Sequence, residues 1–290
     1  MTTAEPLVSV LTPSFNQRRW LGDNLESVAR QSYPRIEHLV MDGGSTDGSV
    51  EVLRAAGETI RWRSEPDRGQ SHALNKAFAD SRGDIIGWLN SDDAYFYVDA
   101  VTDAVAIFRA NPGIDVVYGH AALVNARGLI LQMIWVPVFS EPVLRWHNFI
   151  IQPAAFVRRS ALDGQLVNER YKFAMDHELW FRLASKGCAF SRLNRVVAID
   201  RHQPLRKTMV DEDKILLEVE RLRRAYPAPS LARRSTRAQL KMLKIAFRLL
   251  GFRLACQGLP DLAFQAEVDS RSRLAVRQIA VKRTAMPAGK

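Results

Sequence analysis

The sequence predicts an α/β sandwich on a mostly parallel central sheet, and three observations predict it. Short apolar, β-branched runs alternate with helical stretches through the first half of the chain. Two of these runs, Val8-Ser-Val-Leu11 and Ile85-Ile-Gly-Trp-Leu89, are apolar at nearly every position, as strands covered on both faces must be. Clusters of Gly, Ser, Asp and Pro separate each run from its helix.

In chain order, strands are expected at 7–12, 36–41, 60–63, 84–89 and 115–118, and helices at 19–31, 48–56, 71–81 and 100–110. Strand-helix alternation of this kind requires right-handed crossovers between parallel strands. Between 119 and 138 the runs shorten around Asn125-Ala-Arg-Gly128, a hairpin turn that predicts antiparallel strands added to the sheet. Then come a further run at 152–159, a helix at 177–186, ended by Gly187, and a strand at 189–199. Beyond Asp211 the pattern is helical throughout. The chain is therefore read as a catalytic domain over 1–210 and a helical C-terminal extension over 211–290, with Tyr226-Pro-Ala-Pro-Ser230 the most plausible internal break.

The 290 residues carry a net charge of +10, unevenly placed. Residues 221–290 hold 16 basic and 3 acidic side chains, while the rest of the chain holds 25 and 28. The body is nearly neutral, which argues against a polyanion-gripping core and leaves no expectation of nucleic-acid binding. Two distant cysteines, Cys188 and Cys256, make neither a disulfide framework nor a CxxC signature, so a reduced, cytoplasmic setting is expected. The first residues show no secretion signal. The apolar stretch 239–256 is broken by Lys241, Lys244, Arg248 and Arg253, so no membrane span is expected.

The loops that leave the strands point to the chemistry. Thr12-Pro-Ser-Phe-Asn16, Asp42-Gly-Gly-Ser-Thr-Asp-Gly-Ser49 and Asn90-Ser-Asp-Asp93 all emerge at the carboxyl edge of a parallel sheet, where α/β folds bind ligands. The Asp42 loop is no GxGxxG fingerprint, and Gly43 and Arg54 stand where a calcium loop needs acids; it reads equally as a turn that caps the next helix. In Asn90–Asp93, adjacent carboxylates repel unless a cation or hydrogen-bond donors compensate. Mg²⁺ or Mn²⁺, shared with a substrate phosphate, is the natural compensation.

These segments, with Glu65-Pro-Asp-Arg-Gly-Gln70, Asn75, Gly83-Asp84 and Met175-Asp-His-Glu-Leu-Trp-Phe-Arg182, resemble the ordered motif series of family 2 glycosyltransferases over about residues 6–210. That resemblance implies the Rossmann-like GT-A fold and inverting sugar transfer from a nucleotide-sugar donor to a saccharide or lipid-linked acceptor, as in bacterial-type polysaccharide or glycolipid assembly. It implies that Thr12, Pro13 and Asn16 border the nucleotide and that Asp42 accepts a hydrogen bond from the base. Asp67 and Arg68 would lie by the ribose or diphosphate, Asp84 near the donor, and Asn90 and Ser91 against it. Asp92 would be the metal-binding acid and Asp176 the general base. Two positions depart from the pattern: Asn90 replaces the first acid of the DxD-type motif, and Met175 the acid before the base. Asp93 would supply part of the charge Asn90 lacks. Asp176 also reads as a helix cap.

His202 is expected at the metal or diphosphate, with Arg206 and Lys207 neutralising departing phosphate, although Asp200–Thr208 also reads as an exposed polar loop. Trp146, Gln152 and Pro153 are expected to shape the acceptor side. In the tail, Arg234, Arg237, Lys241, Lys244 and Arg248 form a basic helical stripe beside an apolar one built on Leu240, Leu243, Phe247, Leu250 and Leu254. Over 231–257 this fits either an anionic membrane surface, such as the inner face of the plasma membrane, or packing on the catalytic domain. The rival readings are a nucleotidyltransferase, which usually wants a glycine-rich loop where 12–20 has none, and a non-catalytic nucleotide-sugar or membrane-binding module.

Overall fold

The computed structural model describes residues 5–203 and 212–227. Val8–Ser14 (β1) is buried from end to end and pairs in parallel with Ile36–Asp42 (β2) on one side and Ile85–Trp88 (β4) on the other. Arg61–Ser64 (β3) extends the parallel set beside β2. The crossovers are Arg18–Ala29 (α1), Ser49–Ala55 (α2) and Gln70–Asp80 (α3). These elements lie where the apolar runs and their turn clusters place them.

The second half is less regular. Ala94–Tyr95 (β5), Ala100–Ala110 (α4), Val116–Asn125 (β6) and Ile130–Ile134 (β7) are followed by Glu141–Trp146 (α5), Ala155–Arg158 (β8), Met175–Ser185 (α6), Phe190–His202 (β9) and Glu212–Ala225 (α7). The sheet order is β3-β2-β1-β4-β8-β6-β9-β5, with β7 paired to β6. The hairpin expected at Asn125–Gly128 joins β6 and β7, with Gly128 at φ +80° and its N–H donating to the Asn125 carbonyl at 2.9 Å. The strand expected at 115–118 does not continue the parallel set. It opens β6, and β8 lies antiparallel between it and β4.

Helices cover both faces of the sheet. Alternate residues of β1 divide accordingly: Val8 and Val10 join α4 in one apolar core, and Leu11 joins α3 and α6 in the other. Leu222 of α7 and Tyr226 just beyond it pack into that second core, so this part of the expected extension is built onto the catalytic body. Among the described residues no helix is long and apolar enough to cross a membrane. Arg206, Lys207 and the basic stripe over 231–257 lie outside the described residues.

Candidate active site

The carboxyl ends of β1 and β4, the loops after β2 and β3, the start of α6 and the end of β9 surround one cleft of about 890 Å³. Its lining carries five carboxylates, on Asp67, Asp92, Asp93, Asp176 and Asp200, against two cations, Lys172 and Arg201. Ser14, Gln17 and Asn148 each turn toward it with a buried side-chain oxygen that has no hydrogen-bond partner within the protein.

The first two loops lock together. Asn16 adopts the left-handed conformation at φ 53°, donates its N–H to Ser45 Oγ at 2.7 Å and accepts from the Thr46 N–H at 3.0 Å. Gly43 leaves room for the side chains around it: a Cβ there would stand 2.9 Å from Asp67 Oδ2 and 3.2 Å from the Phe15 ring. Pro13, Phe15, Asn16 and Asp67 all line the cleft. Phe15 offers it an aromatic face that is 60% exposed.

Asp42 and Thr12 sit behind that lining. Asp42 is buried, and its carboxylate accepts from the N–H groups of Gly44 and Ser45 and from the hydroxyls of Ser45 and Ser64. These bonds organise the loop, three of them on Oδ2 and one on Oδ1. Thr12 is buried against His38, its Oγ1 2.9 Å from Nε2. Two further expectations are corrected by position. Asp84 stands at the opposite, amino end of β4, where it accepts from the Leu7 N–H at 2.9 Å. Arg68 is not part of the cleft lining and pairs with Glu169 at 2.9 Å.

The loop after β4 is built around Asn90. Its Oδ1 accepts from Gln70 Nε2 at 2.7 Å and Trp88 Nε1 at 2.8 Å, and its Nδ2 donates to Asp93 Oδ2 at 3.1 Å and Gln152 Oε1 at 2.8 Å. All four valences of the amide are used, two of them as donors, which a carboxylate could not supply. Asp93, 3% exposed, also accepts from the Arg201 N–H at 3.0 Å. Asn24 of α1 steadies the loop from below, donating to the carbonyls of Asn90 and Asp93. Ser91 is buried beside them on the cleft wall.

Asp92 receives Gln203 Nε2 at 3.2 Å, and its carbonyl accepts from Arg201 Nε at 2.8 Å. Arg201 also pairs with Asp23 at 3.2 Å; burial pulls its guanidinium below the usual range while Asp23, Asp93 and Asp92 oppose that shift. His202, expected at the metal, does not line the cleft. Neighbouring residues of an extended chain face opposite ways, and its neighbour Gln203 is the one that reaches Asp92.

Across the cleft Asp176 is the second residue of α6. Its Oδ1 accepts from the His177 N–H and its Oδ2 from Asn148 Nδ2, both at 2.8 Å. Of the acceptor-side expectations, Gln152 and Pro153 line the cleft, and Gln152 Nε2 donates to the Trp88 carbonyl. Glu178, two residues on from Asp176, is fully buried and paired with Arg182 at 3.2 Å. Sequence reasoning missed Asn24, Asn148, Lys172, Arg201 and Gln203. None belongs to a motif in the chain; Arg201 and Gln203 only flank the histidine that the sequence singles out.

Asp92 and Asp93 both line the cleft, Asp92 accepting from Gln203 and Asp93 from Asn90 and Arg201. Among the described residues no cluster of three or more His, Cys, Asp or Glu side chains forms a ready-made ion site. An oxygen-loving divalent ion needs only one or two protein carboxylates when substrate phosphates complete its shell, so this donor set fits an ion that is shared with a phosphorylated ligand.

A sheet that turns from parallel to antiparallel beside β4, with its cleft at that turn and an acid-bearing loop on the floor, defines a GT-A-type α/β protein. Residues 9–163 match the model of Glycosyl transferase family 2, and the chain belongs to that family. An uncharacterized glycosyltransferase of Mycobacterium tuberculosis is 38% identical over 119 residues, 40% of this chain and 45% of that protein. The match thus spans less than half of that relative's length. A PGL/p-HBAD biosynthesis glycosyltransferase of Mycobacterium bovis is 27% identical over 220 residues, 72% of this chain and 83% of that protein. Among solved structures, S. aureus TarS superposes with a TM-score of 0.62 at 20% identity, over 87% of this chain and 46% of that one. A mannosyltransferase from Pyrobaculum calidifontis, in complex with GDP-Man and Mn²⁺, gives 0.60 at 22% identity, over 98% of this chain and 81% of that one. These structural likenesses carry the fold.

Proposed function

We propose that the chain transfers a sugar from a nucleotide-sugar to an acceptor hydroxyl with inversion at the anomeric carbon, in polysaccharide or glycolipid assembly. The observation that carries this reading is the gathering of Asp67, Asp92 and Asp176, 109 positions apart in sequence at the extremes, around one cleft. The nucleoside lies against Pro13, Phe15, Asn16 and Asp67, and the diphosphate over Asn90, Ser91 and Asp92. Asp176 takes the acceptor's hydroxyl proton while that oxygen bonds to the anomeric carbon. The bond from that carbon to the diphosphate oxygen breaks, and a nucleoside diphosphate leaves. Mg²⁺ or Mn²⁺ held by Asp92 and the donor phosphates would supply positive charge to the leaving group and offset the acidic lining. The structural neighbours support the donor class, since TarS is solved in complex with UDP and with UDP-GlcNAc, and the mannosyltransferase with GDP-Man. Arg206, Lys207 and an anionic membrane contact through 231–257 complete the proposal.

A panel of nucleotide-sugars read by thermal shift with and without Mn²⁺, followed by transfer assays, tests it. Asp176→Asn is expected to lower transfer by about 10²- to 10⁴-fold with the melting temperature preserved. Asp92→Asn is expected to remove the added stabilisation that Mn²⁺ gives with nucleotide. Full transfer in both variants overturns the reading.

A further inference from the structure

Helix α6 begins without a cap of its own. Its N-cap residue is Ala174, which offers no side-chain acceptor to the free N–H groups of the first turn. The N-cap amide itself, with the two amides before it, is instead held from α7, more than forty residues later. Glu218 Oε1 accepts from the Lys172 N–H at 2.8 Å, and Oε2 accepts from the N–H groups of Lys172, Phe173 and Ala174 at 3.0, 2.8 and 2.9 Å. Three consecutive amides converge on one carboxylate at the positive end of a helix, where negative charge is favoured.

Those amides belong to the rim of the cleft. Lys172, Phe173, Met175 and Asp176 all line it. The hold on them is rigid because α7 is anchored along one face, at positions four apart. Leu222, one turn beyond Glu218, is fully buried in the core shared with α6. Tyr226, a turn further, donates its hydroxyl to Glu178 Oε1 at 2.8 Å, and its carbonyl accepts from Arg145 Nη1 at 2.7 Å. The outward face carries Leu216 and Leu217, both more than half exposed.

We propose that Glu218 is a positioning residue for the proposed sugar transfer. Through the 172–174 amides it sets the start of α6, and with it the placement of Asp176 against the acceptor, while the donor half of the cleft is held independently by the 90–93 loop. The role rests on the reading of Asp176 as the base, whereas the clamp itself does not.

The test uses the full chain and the variants Glu218→Gln and Glu218→Ala, with Leu217→Ser as the control on the outward face. Amide hydrogen exchange at 172–174 is expected to rise at least tenfold in both Glu218 variants and to be unchanged in the control. With the donor found in the nucleotide-sugar panel, kcat is expected to fall about tenfold while donor KM stays within twofold. Unchanged exchange overturns the clamp. Faster exchange with wild-type kcat overturns the positioning role, and so does a parallel loss of kcat and donor affinity, which marks general loosening. If Glu218→Ala does not fold, the Gln variant carries both measurements. If the unmodified protein transfers no sugar, the transfer reading fails while the exchange result still judges the clamp.

Discussion

Asn90 Nδ2 donates to Asp93 Oδ2 across 3.1 Å, so the amide that stands in place of an acid gives a buried carboxylate a hydrogen-bond donor. The substitution is complete in its consequences: the same nitrogen also feeds Gln152, and the opposite oxygen collects Gln70 and Trp88. The loop is arranged for an amide at this position, while Asp92 lines the cleft and accepts from Gln203.

Restoring the acid should therefore harm the protein. Asn90→Asp places a second carboxylate against Asp93, which is almost fully buried, and removes two donors. A loss of about 2–4 kcal/mol in denaturant unfolding is expected from the unpaired buried groups and like-charge repulsion. A variant as stable as the parent, with tighter Mn²⁺ binding, would show that the network is incidental.

Gly43→Ala separates binding from stability. The new methyl meets the movable ends of Asp67 and Phe15, so the fold should lose no more than about 1 kcal/mol. Both side chains must move from the proposed nucleoside position, and calorimetry should show about tenfold weaker nucleotide binding, or about 1.4 kcal/mol. Unchanged affinity would take the nucleoside away from this wall.

Asn148→Ala removes the hydrogen bond to Asp176 Oδ2. Transfer is expected to fall about tenfold through kcat, the equivalent of roughly one charged hydrogen bond's share of orientation, with donor affinity intact. Asn148→Asp should be worse, because it sets a carboxylate beside the proposed base. Equal kcat in all three forms would detach Asn148 from the chemistry.

Acid should unfold the body through its buried histidines. Burial lowers His38 to about 3 and His120 and His177 to about 4, from an ordinary 6.5, with the ring hydrogen bonds to Asn194 Oδ1 and the Leu144 carbonyl resisting the shift at the latter two. The unfolded chain then binds more protons than the native one below about pH 6.5, so stability is full above that pH and declines toward pH 4, by up to ~1.4 kcal/mol per pH unit for each histidine. His177→Gln, which can keep the donor to the Leu144 carbonyl, should flatten the melting temperature's decline between pH 6.5 and 4. An unchanged slope would assign the acid sensitivity elsewhere.

The parallel half of the fold is legible in the sequence because β1, β2 and β4 are buried on both faces and announce it by composition. The three rim loops follow from strand polarity alone. Nothing foretells β8 as the strand that splits the parallel set, since Ala155-Phe-Val-Arg158 is too short for any period to show. At the site, residue type is readable and direction is not. Asp84 and Asn90 flank the same strand, but only the carboxyl end opens on the cleft. Thr12 and Pro13 are adjacent, and only Pro13 faces it. Gln203 outdoes His202 by one step of strand alternation. Asn24, Asn148 and Glu218 act across 28 to 69 positions by hydrogen bonds, and nothing in local sequence marks such partners.

The acid loop also depends on what is made long after it. Arg201 and Gln203, which fix Asp92 and Asp93, lie more than a hundred positions further along the chain. During translation a nascent chain that has already exposed its aspartates has not yet emerged as far as their clamps. Contacts so distant along the chain form late, and the loop is expected to stay unset until the ninth strand has left the ribosome.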